Sequence, residues 1–447
     1  MLTRIEALNF RCLRYVSRSL DPFHVLVGPN ASGKTTFFDV VGFVSRLLND
    51  GLEAAIEEVT PNPLDLLFGR SGHRFELAIE ARLPESLKMD VAGSLTYVRA
   101  HDDTRIRYEV AVILDENANA EIDTESVFLL PSGDESTEAR SETINRNSRF
   151  QRCLPYIEES NEAGADRTTL VEGFPKTLKL AGPLPRLTIR REDAKAAFFI
   201  EDWFGNEVDT SGVGHSMRLS GDKSALATLL DDYSMNPASI WLKQFLMEGI
   251  TRLSIDGTRV RFPSPPANKR KSHPNGLSMP WTVLGMSEAN RAEWIEHIQT
   301  ALPDIIGIRP VIRGEDRHCY LMIQYQNLGE IPQWMVSEGT LRLLALTLPA
   351  FLSQPSGILL VEEPENGLHP KALETVFQAL SYISDTQVMM STHSPQLLVL
   401  AEPHQILCFA KDSSGAVDIV RGDQHPTLKD WQRDISLGTL FAAGALE

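Results

Sequence analysis

The sequence predicts an α/β fold that combines a helix-covered parallel sheet with an antiparallel β-subdomain and an inserted, mainly helical middle region. In the C-terminal third, short apolar runs of strand length alternate with segments whose apolar residues recur at helical spacing. This alternation is typical of parallel sheets with both faces covered. Between residues 75 and 130, strand-like runs follow one another without a comparable helix between them, which indicates an antiparallel meander.

The N-terminal segment predicts a strand, a loop and a helix in that order. Residues 2–10 alternate apolar and polar side chains, as expected for a half-buried strand. The β-rich run 23–27 stops at Gly28, and the following apolar residues fall on one helix face, at Phe37, Val40, Val41, Val44 and Leu48. The strands of the meander are expected at residues 75–83, 94–99, 105–114 and 125–130.

The middle of the chain differs in composition. Residues 131–170 are rich in Ser, Glu, Asp, Asn and Arg, with little periodicity, which predicts a long exposed loop. Helical patterns return around residues 193–203 and 222–250. Residues 257–287 contain five basic residues, five prolines and no acidic residue, which predicts an irregular basic loop.

The C-terminal part has the clearest pattern. Helices are expected at residues 289–302, 341–351 and 373–383. Two strands are expected within residues 307–326, and further strands at 357–361, 387–391, 405–410 and 416–420.

Composition limits the classes of function. The net charge of −17 argues against a dominant basic surface, so any nucleic-acid contact has to be a local patch. The four cysteines are far apart, which favours reduced thiols in a cytoplasmic protein over a disulfide framework or a zinc ribbon. The longest apolar region, 341–361, is interrupted by an arginine and two prolines, and we expect no membrane span or secretory signal.

Residues 28–35 (GPNASGKT) fit the phosphate-loop pattern G-x-x-x-x-G-K-[ST]. Glycines let successive backbone N–H groups turn toward phosphate oxygens, and the N-terminus of the next helix adds positive potential. Lys34 would reach the β- and γ-phosphates, and Thr35 would offer its hydroxyl to Mg²⁺. The pattern can arise by chance, but its place between a β-rich run and an amphipathic helix favours nucleotide binding.

Two acidic residues and a histidine follow neighbouring predicted strands. Glu362 and Glu363 come directly after the apolar run 357–361, and His393 follows the run 387–391. The carboxyl ends of parallel strands meet at one edge of a sheet, where ligands bind. Glu362 would hold Mg²⁺, Glu363 would deprotonate an attacking water, and His393 would contact the γ-phosphate. The alternatives are two solvated surface acids and a satisfied histidine.

Residues 337–340 (SEGT) precede the helix predicted at 341–351. Ser337 fits an N-cap, and Gly339 leaves the start of the helix open for close approach. A second anion-binding helix end is useful if it caps the nucleotide of another subunit. The alternative is an ordinary capping serine.

Together these motifs resemble the ABC-type ATPase heads of the SMC and RecF group, and more closely the prokaryotic ATPases of the overcoming-lysogenization-defect and AAA_21 type. The resemblance implies a P-loop ABC/SMC-like ATPase head that uses ATP and Mg²⁺. It rests on residues 9–11 (NFR), 28–35 as Walker A, 337–340 as signature, 359–363 (LLVEE) as Walker B, 364–370 (PENGLHP) as D-loop and 392–395 (THSP) as the switch histidine segment.

Carried over to this sequence, the resemblance implies roles for individual residues. Glu363 and His393 would be catalytic, and Thr35 and Glu362 would hold the metal. The nucleotide would be bound by Arg11, Gly28, Pro29, Asn30, Ala31, Ser32, Gly33, Lys34, Thr35 and Thr36. Ser337 and Gly339 would cap ATP across a head-to-head homodimer or a higher oligomer. The head would comprise an N-terminal part (1–84), β-subdomain strands (85–130), an insertion (131–306) and a C-terminal part (307–447).

The sequence departs from the family pattern in several places. Glu362 stands where aspartate is usual, and no glutamine occurs before Gln151 to serve as the Q-loop residue. The signature lacks the second glycine of transporter heads, and no heptad run indicates a coiled-coil arm. Only 54 residues follow His393, fewer than the roughly 100 of an ordinary domain, so we expect no TOPRIM nuclease in this chain.

The favoured function is an ATP-hydrolysing dimerisation switch that controls a separate effector protein in bacterial antiviral (anti-phage) defence. One alternative is a RecF-like DNA-binding repair ATPase, for which the basic stretch 257–287 is the only support. Another is an ATP-binding scaffold without significant turnover, against which the intact Glu363 and His393 count.

Overall fold

A computed structural model of the chain describes residues 1–84, 87, 103–131, 170–171, 174–175, 186–192, 196–199, 215–231, 233, 236–266, 276–353, 357–429 and 435–446. Contacts divide the chain into two compact units. The first unit comprises Met1–Asp21, Gly28–Ile250 and Cys408–Asp430. The second comprises Pro22–Val27, Thr251–Leu407 and Trp431–Glu447.

The strands are numbered here in chain order. They are β1 Leu2–Phe10, β2 Leu13–Ser19, β3 Phe23–Val27, β4 Arg74–Arg82, β5 Asp103–Leu114, β6 Ala120–Pro131, β7 Leu170–Val171, β8 Phe174–Pro175, β9 Arg186–Glu192, β10 Ala196–Phe199, β11 His215–Arg218, β12 Ile250–Leu253, β13 Ile305–Ile312, β14 Cys319–Tyr325, β15 Gly329–Pro332, β16 Gly357–Glu362, β17 Thr386–Ser391, β18 Ile406–Lys411 and β19 Val417–Arg421.

The α-helices are numbered in the same way. They are α1 Lys34–Asp50, α2 Leu52–Val59, α3 Ala225–Thr228, α4 Pro237–Glu248, α5 Met279–Leu284, α6 Glu288–Gln299, α7 Glu338–Thr347, α8 Pro370–Ser381, α9 Pro395–Leu400, α10 Pro426–Lys429 and α11 Leu437–Ala442. None of these described helices combines the length and the apolar character that crossing a membrane requires.

The first unit is built on an eight-stranded antiparallel sheet with the strand order β11-β10-β9-β6-β5-β4-β1-β2. Aromatic packing joins α1 to this sheet: the ring of Phe43 lies 5.8 Å from Phe10 and 5.6 Å from Phe75. These fully enclosed rings hold α1, whose N-terminus follows the phosphate loop, against β1 and β4.

The second unit contains a sheet in which β12, β16, β17 and β3 are neighbours in that order. β16 pairs in parallel with β17, and β17 pairs in parallel with β3. Their apolar residues are buried on both faces, including Leu360, Val361 and Met389. The predicted parallel strands at 357–361 and 387–391 are therefore confirmed. A separate antiparallel sheet, β13-β14-β15, includes the two strands predicted within 307–326.

One predicted helix is wrong in its described part. The pattern around 193–203 was expected to be helical, yet Ala196–Phe199 is strand β10, paired antiparallel with both β9 and β11. A short apolar run does not distinguish helix from strand, and sheet partners decided the outcome. The middle region thus supplies strands as well as the helices α3 to α6. The strand predicted at 94–99, the loop interior 132–169 and residues 267–275 lie outside the described residues.

Candidate active site

The phosphate loop joins β3 to α1, as predicted. The side chain of Lys34 is buried and curls back over the loop, where its Nζ donates to the carbonyl oxygens of Gly28 (2.8 Å) and Pro29 (2.9 Å). Thr35 follows in the first turn of α1 with an exposed side chain. The ammonium group of Lys34 therefore lies at the backbone of the phosphate loop. The hydroxyl of the next residue, Thr35, is exposed to solvent.

The backbone conformation and the close packing of the phosphate loop require glycine at positions 28 and 33. Gly28 and Gly33 have φ angles of 148° and 101°, a region that side chains with a Cβ rarely adopt. A Cβ on Gly28 would lie 2.3 Å from the carbonyl oxygen of Phe409, and one on Gly33 would lie 2.6 Å from Cγ2 of Val417. The strands β18 and β19 thus pack directly against the phosphate loop and leave no room for a Cβ at these two positions. Glycine lets the loop backbone adopt the conformation in which N–H groups can turn toward an anion.

A cavity of about 460 Å³ lies beside the loop in the first unit. Arg11, Cys12, Thr36 and Phe68 are among its lining residues. Arg11 has a φ of 52° and forms a close ion pair with Asp39 of α1. The cavity brings together Arg11 and Thr36, two predicted nucleotide-binding residues, with a phenyl ring and polar groups suited to a base and a ribose.

In the second unit, Glu362 ends β16 and is paired with an arginine that the sequence did not indicate. Arg252 Nε, on the neighbouring strand β12, donates to Glu362 Oε1 at 2.6 Å. No motif surrounds Arg252, and 110 residues separate the pair. The Glu362 carboxylate would therefore bind a metal ion while it also accepts a hydrogen bond from the Arg252 guanidinium group.

Glu363 and His393 lie side by side, as their positions after parallel strands predicted. His393 Nε2 is 3.8 Å from Glu363 Oε1, and the second oxygen, Oε2, accepts a hydrogen bond of 2.7 Å from Asn366 Nδ2. Glu363 has a φ of 43°, and its N–H donates to the carbonyl of Ser391 (2.9 Å). A non-glycine residue in this strained region is a frequent mark of functional sites.

The D-loop segment contributes a further residue that sequence reasoning missed. Glu365 Oε1 accepts hydrogen bonds from Thr392 Oγ1 (2.8 Å) and from the backbone N–H of His393 (2.6 Å). The sequence pattern identifies residues 364–370 only as one segment, and their spacing does not reveal that Glu365 bonds to the segment after β17.

Ser337 caps α7 as predicted, because its Oγ accepts from the N–H of Thr340 at 3.1 Å. The reason for Gly339 is a close contact: a Cβ there would lie 2.9 Å from the carbonyl oxygen of Gly367. Gly367 itself has a φ of 73°. The start of α7 is thus packed directly on the D-loop.

Comparisons with known proteins bear on the fold of the chain. The family model AAA_21, described as "AAA domain, putative AbiEii toxin, Type IV TA system", matches residues 23–85 and 245–399. The SMC head bound to the C-terminal winged-helix domain of ScpA is similar in structure, with a TM-score of 0.50, 12% identity and coverage of 94% of this chain and 97% of that one. The chain has the fold of an ABC/SMC-type ATPase head. This confirms the predicted fold class.

Two further SMC head structures resemble this chain more distantly. The head domain from Thermotoga maritima has a TM-score of 0.41 and 10% identity and covers 94% of this chain and 98% of that one. The Pyrococcus furiosus head with an extended coiled coil, bound to the C-terminal domain of ScpA, has a TM-score of 0.44, 12% identity and coverage of 99% and 98%. No curated protein matches the sequence. The two segments that the AAA_21 model matches contain Lys34, Ser337, Glu363 and His393, whereas Arg11 lies outside them.

Proposed function

We propose that the chain is an ATP-hydrolysing dimerisation switch that controls a separate effector in bacterial antiviral defence. The observation that carries the hydrolytic part is the pairing of Glu363 with His393, with the Glu363 carboxylate held by Asn366. A scaffold that only binds ATP has no need for a strained, exposed carboxylate beside an imidazole. The family description of AAA_21, which names a toxin–antitoxin system, supports the link to defence.

The residues of the phosphate loop fit ATP. Gly28 and Gly33 have the positive φ angles and the tight packing that a phosphate cradle needs, and Lys34 supplies its cation. The adjoining cavity of about 460 Å³ has room for a nucleoside. Hydroxyl and carboxylate oxygens from Thr35 and Glu362 are ligands that Mg²⁺ prefers, and a bound Mg²⁺ would neutralise charge on the phosphates.

Glu363 is the proposed base that accepts a proton from the attacking water. Its Oε1 side faces His393, while Asn366 occupies Oε2, so one carboxylate oxygen is oriented and the other can accept a proton from water. His393 Nε2, 3.8 Å from Glu363 Oε1, would donate a hydrogen bond to an anionic phosphate oxygen near that water. We therefore assign the base to Glu363 and γ-phosphate recognition to His393.

Dimerisation is proposed to complete the catalytic site. Ser337 stands at the N-terminus of α7, where the helix dipole favours an anion, and the D-loop packs against the same turn. In the proposed dimer, this helix end caps the γ-phosphate of ATP bound by the partner copy. Hydrolysis then depends on protein concentration and drives release of the two copies.

The variant Ser337→Arg tests the dimer. We expect unchanged ATP binding to the monomer and at least about 30-fold slower hydrolysis, because the long cationic side chain blocks the helix end. Specific ATPase activity should be measured against protein concentration, with fluorescent ATP binding alongside it. Ser287→Arg is the matched control, since Ser287 caps α6 by the same Oγ-to-backbone bond. Hydrolysis that remains at the wild-type rate at every concentration would contradict the composite site.

The effector is proposed to be another protein. Within the described residues, no group of three or more His, Cys, Asp or Glu side chains could hold a metal ion as a nuclease centre would. We therefore expect the purified chain to hydrolyse ATP without cleaving DNA or RNA. The assay uses both nucleic acids with Mg²⁺ and Mn²⁺, with Lys34→Ala as the ATPase-deficient control. Strong cleavage by the chain alone would show a catalytic centre in the middle region.

The DNA-repair alternative has weaker support. Arg259, an exposed residue of the basic stretch 257–287, forms an ion pair with Asp256 (3.4 Å), so the local net positive charge around Arg259 is lower than the composition of the stretch indicates. DNA binding that weakens steeply with salt would favour this alternative.

A further inference from the structure

Glu365 bonds the D-loop to the segment that carries the switch histidine. Its Oε1 accepts both the hydroxyl hydrogen of Thr392 (2.8 Å) and the backbone N–H of His393 (2.6 Å). A carboxylate forms shorter and stronger hydrogen bonds than a neutral acceptor does. One oxygen therefore fixes the backbone at the point from which the imidazole projects.

Thr392 is held from other sides as well. It is fully buried, its N–H donates to the carbonyl of Leu26 (3.0 Å), and its Oγ1 accepts from the N–H of Ser394 (3.0 Å). With Thr392 anchored to β3 and to the start of α9, the Glu365 bond to His393 N–H completes the fixation. The imidazole can move only about its own side-chain torsions unless the Glu365 bonds break.

The neighbours of Glu365 contact other functional groups. Asn366 donates to the proposed base Glu363, and the carbonyl of Gly367 lies against the Cα of Gly339 at the start of the signature helix. Three consecutive residues thus contact the switch segment, the base and the signature helix. A shift of the signature helix on dimerisation would reach His393 through Glu365.

The stability of the folded chain does not explain why a carboxylate stands at position 365. Its Oε2 is a buried atom for which the described part of the chain offers no hydrogen-bond partner. An unsatisfied carboxylate oxygen costs free energy, whereas a glutamine could accept the same two bonds without a charge. The strong charged acceptor is therefore favoured for its effect on His393.

We propose that Glu365 is a positioning residue that sets His393 for hydrolysis and links its placement to the D-loop. This inference rests on the proposed ATPase function. Glu365→Ala should lower kcat about 10- to 100-fold while KM for ATP stays within about twofold, because the imidazole loses its placement while the phosphate loop is unchanged. Glu365→Gln, which keeps an acceptor oxygen but loses the charge, should restore only part of kcat, because a neutral amide oxygen accepts weaker hydrogen bonds than a carboxylate.

The decisive experiment is a double-mutant cycle with His393→Ala. If Glu365 acts through His393, the double variant hydrolyses ATP as slowly as His393→Ala alone. Independent losses that multiply in the double variant would overturn the proposal, as would an equal loss of ATP binding in Glu365→Ala. Glu374→Ala, on the exposed side of α8, is the control and should leave both constants unchanged. Thermal melts of each variant establish that the fold is retained.

A second readout does not depend on ATPase activity. In a protein with ¹³C-labelled histidine, the ring signal of His393, assigned with His393→Ala, should shift or broaden in Glu365→Ala and stay in place in Glu374→Ala. An unchanged His393 signal would refute the positioning role even if the chain hydrolyses ATP. A shifted signal in a chain without ATPase activity would support the positioning role and refute the proposed function.

Discussion

Replacing Lys34 by alanine should abolish ATP binding and, with it, hydrolysis. The ammonium group is buried at the loop and donates to two backbone carbonyls, so alanine removes a cation that water cannot replace. In the proposed complex, Lys34 would donate instead to the β- and γ-phosphates of ATP. Charge-assisted hydrogen bonds contribute about 1.5–3 kcal/mol each, so the loss of two such bonds predicts at least about 100-fold weaker binding. Titration of a fluorescent ATP analogue measures the change directly.

Lys223→Ala is the matched control for this experiment, because Lys223 is an exposed lysine in the same unit. Its affinity for ATP should equal that of the wild-type chain. An affinity of Lys34→Ala for ATP close to that of the wild-type chain would contradict the assignment of residues 28–35 as the nucleotide site.

Replacing Glu363 by glutamine should leave ATP binding intact and slow hydrolysis by about 100- to 10,000-fold, as expected for loss of a general base. Glutamine keeps the length of the side chain, and its carbonyl oxygen can still accept from Asn366. It does not accept a proton from water. The ATP-bound dimer should therefore accumulate, which size-exclusion chromatography with light scattering detects, while phosphate release measures turnover.

Glu374→Gln makes the same chemical change on the exposed face of α8 and should hydrolyse ATP at the wild-type rate. If Glu363→Gln turns over within a few-fold of wild type, another residue activates the water. Accumulation of dimer in the control as well would show that dimerisation does not report on the catalytic base.

Local signals in the sequence were sufficient for the phosphate loop and for most of the strands and helices near it. The glycines and Lys34 lie within one short segment, and the change from strand to helical periodicity marks its two flanks. The meeting of Glu363 and His393 also followed from sequence, since each comes after a buried parallel strand. The register of β16 and β17, which pairs Glu362 with Ser391, brings those strand ends together.

The tertiary structure alone decided the partners of these residues. Arg252 meets Glu362 because β12 is the neighbour of β16, and Gly28 is required because β18 places the carbonyl of Phe409 against it. Glu365 reaches His393 across 28 residues. Strand β10 formed because β9 and β11 supply its hydrogen bonds. Periodicity and spacing report interactions along one segment, whereas these contacts join segments distant in sequence and depend on how side chains and sheet neighbours pack in the folded chain.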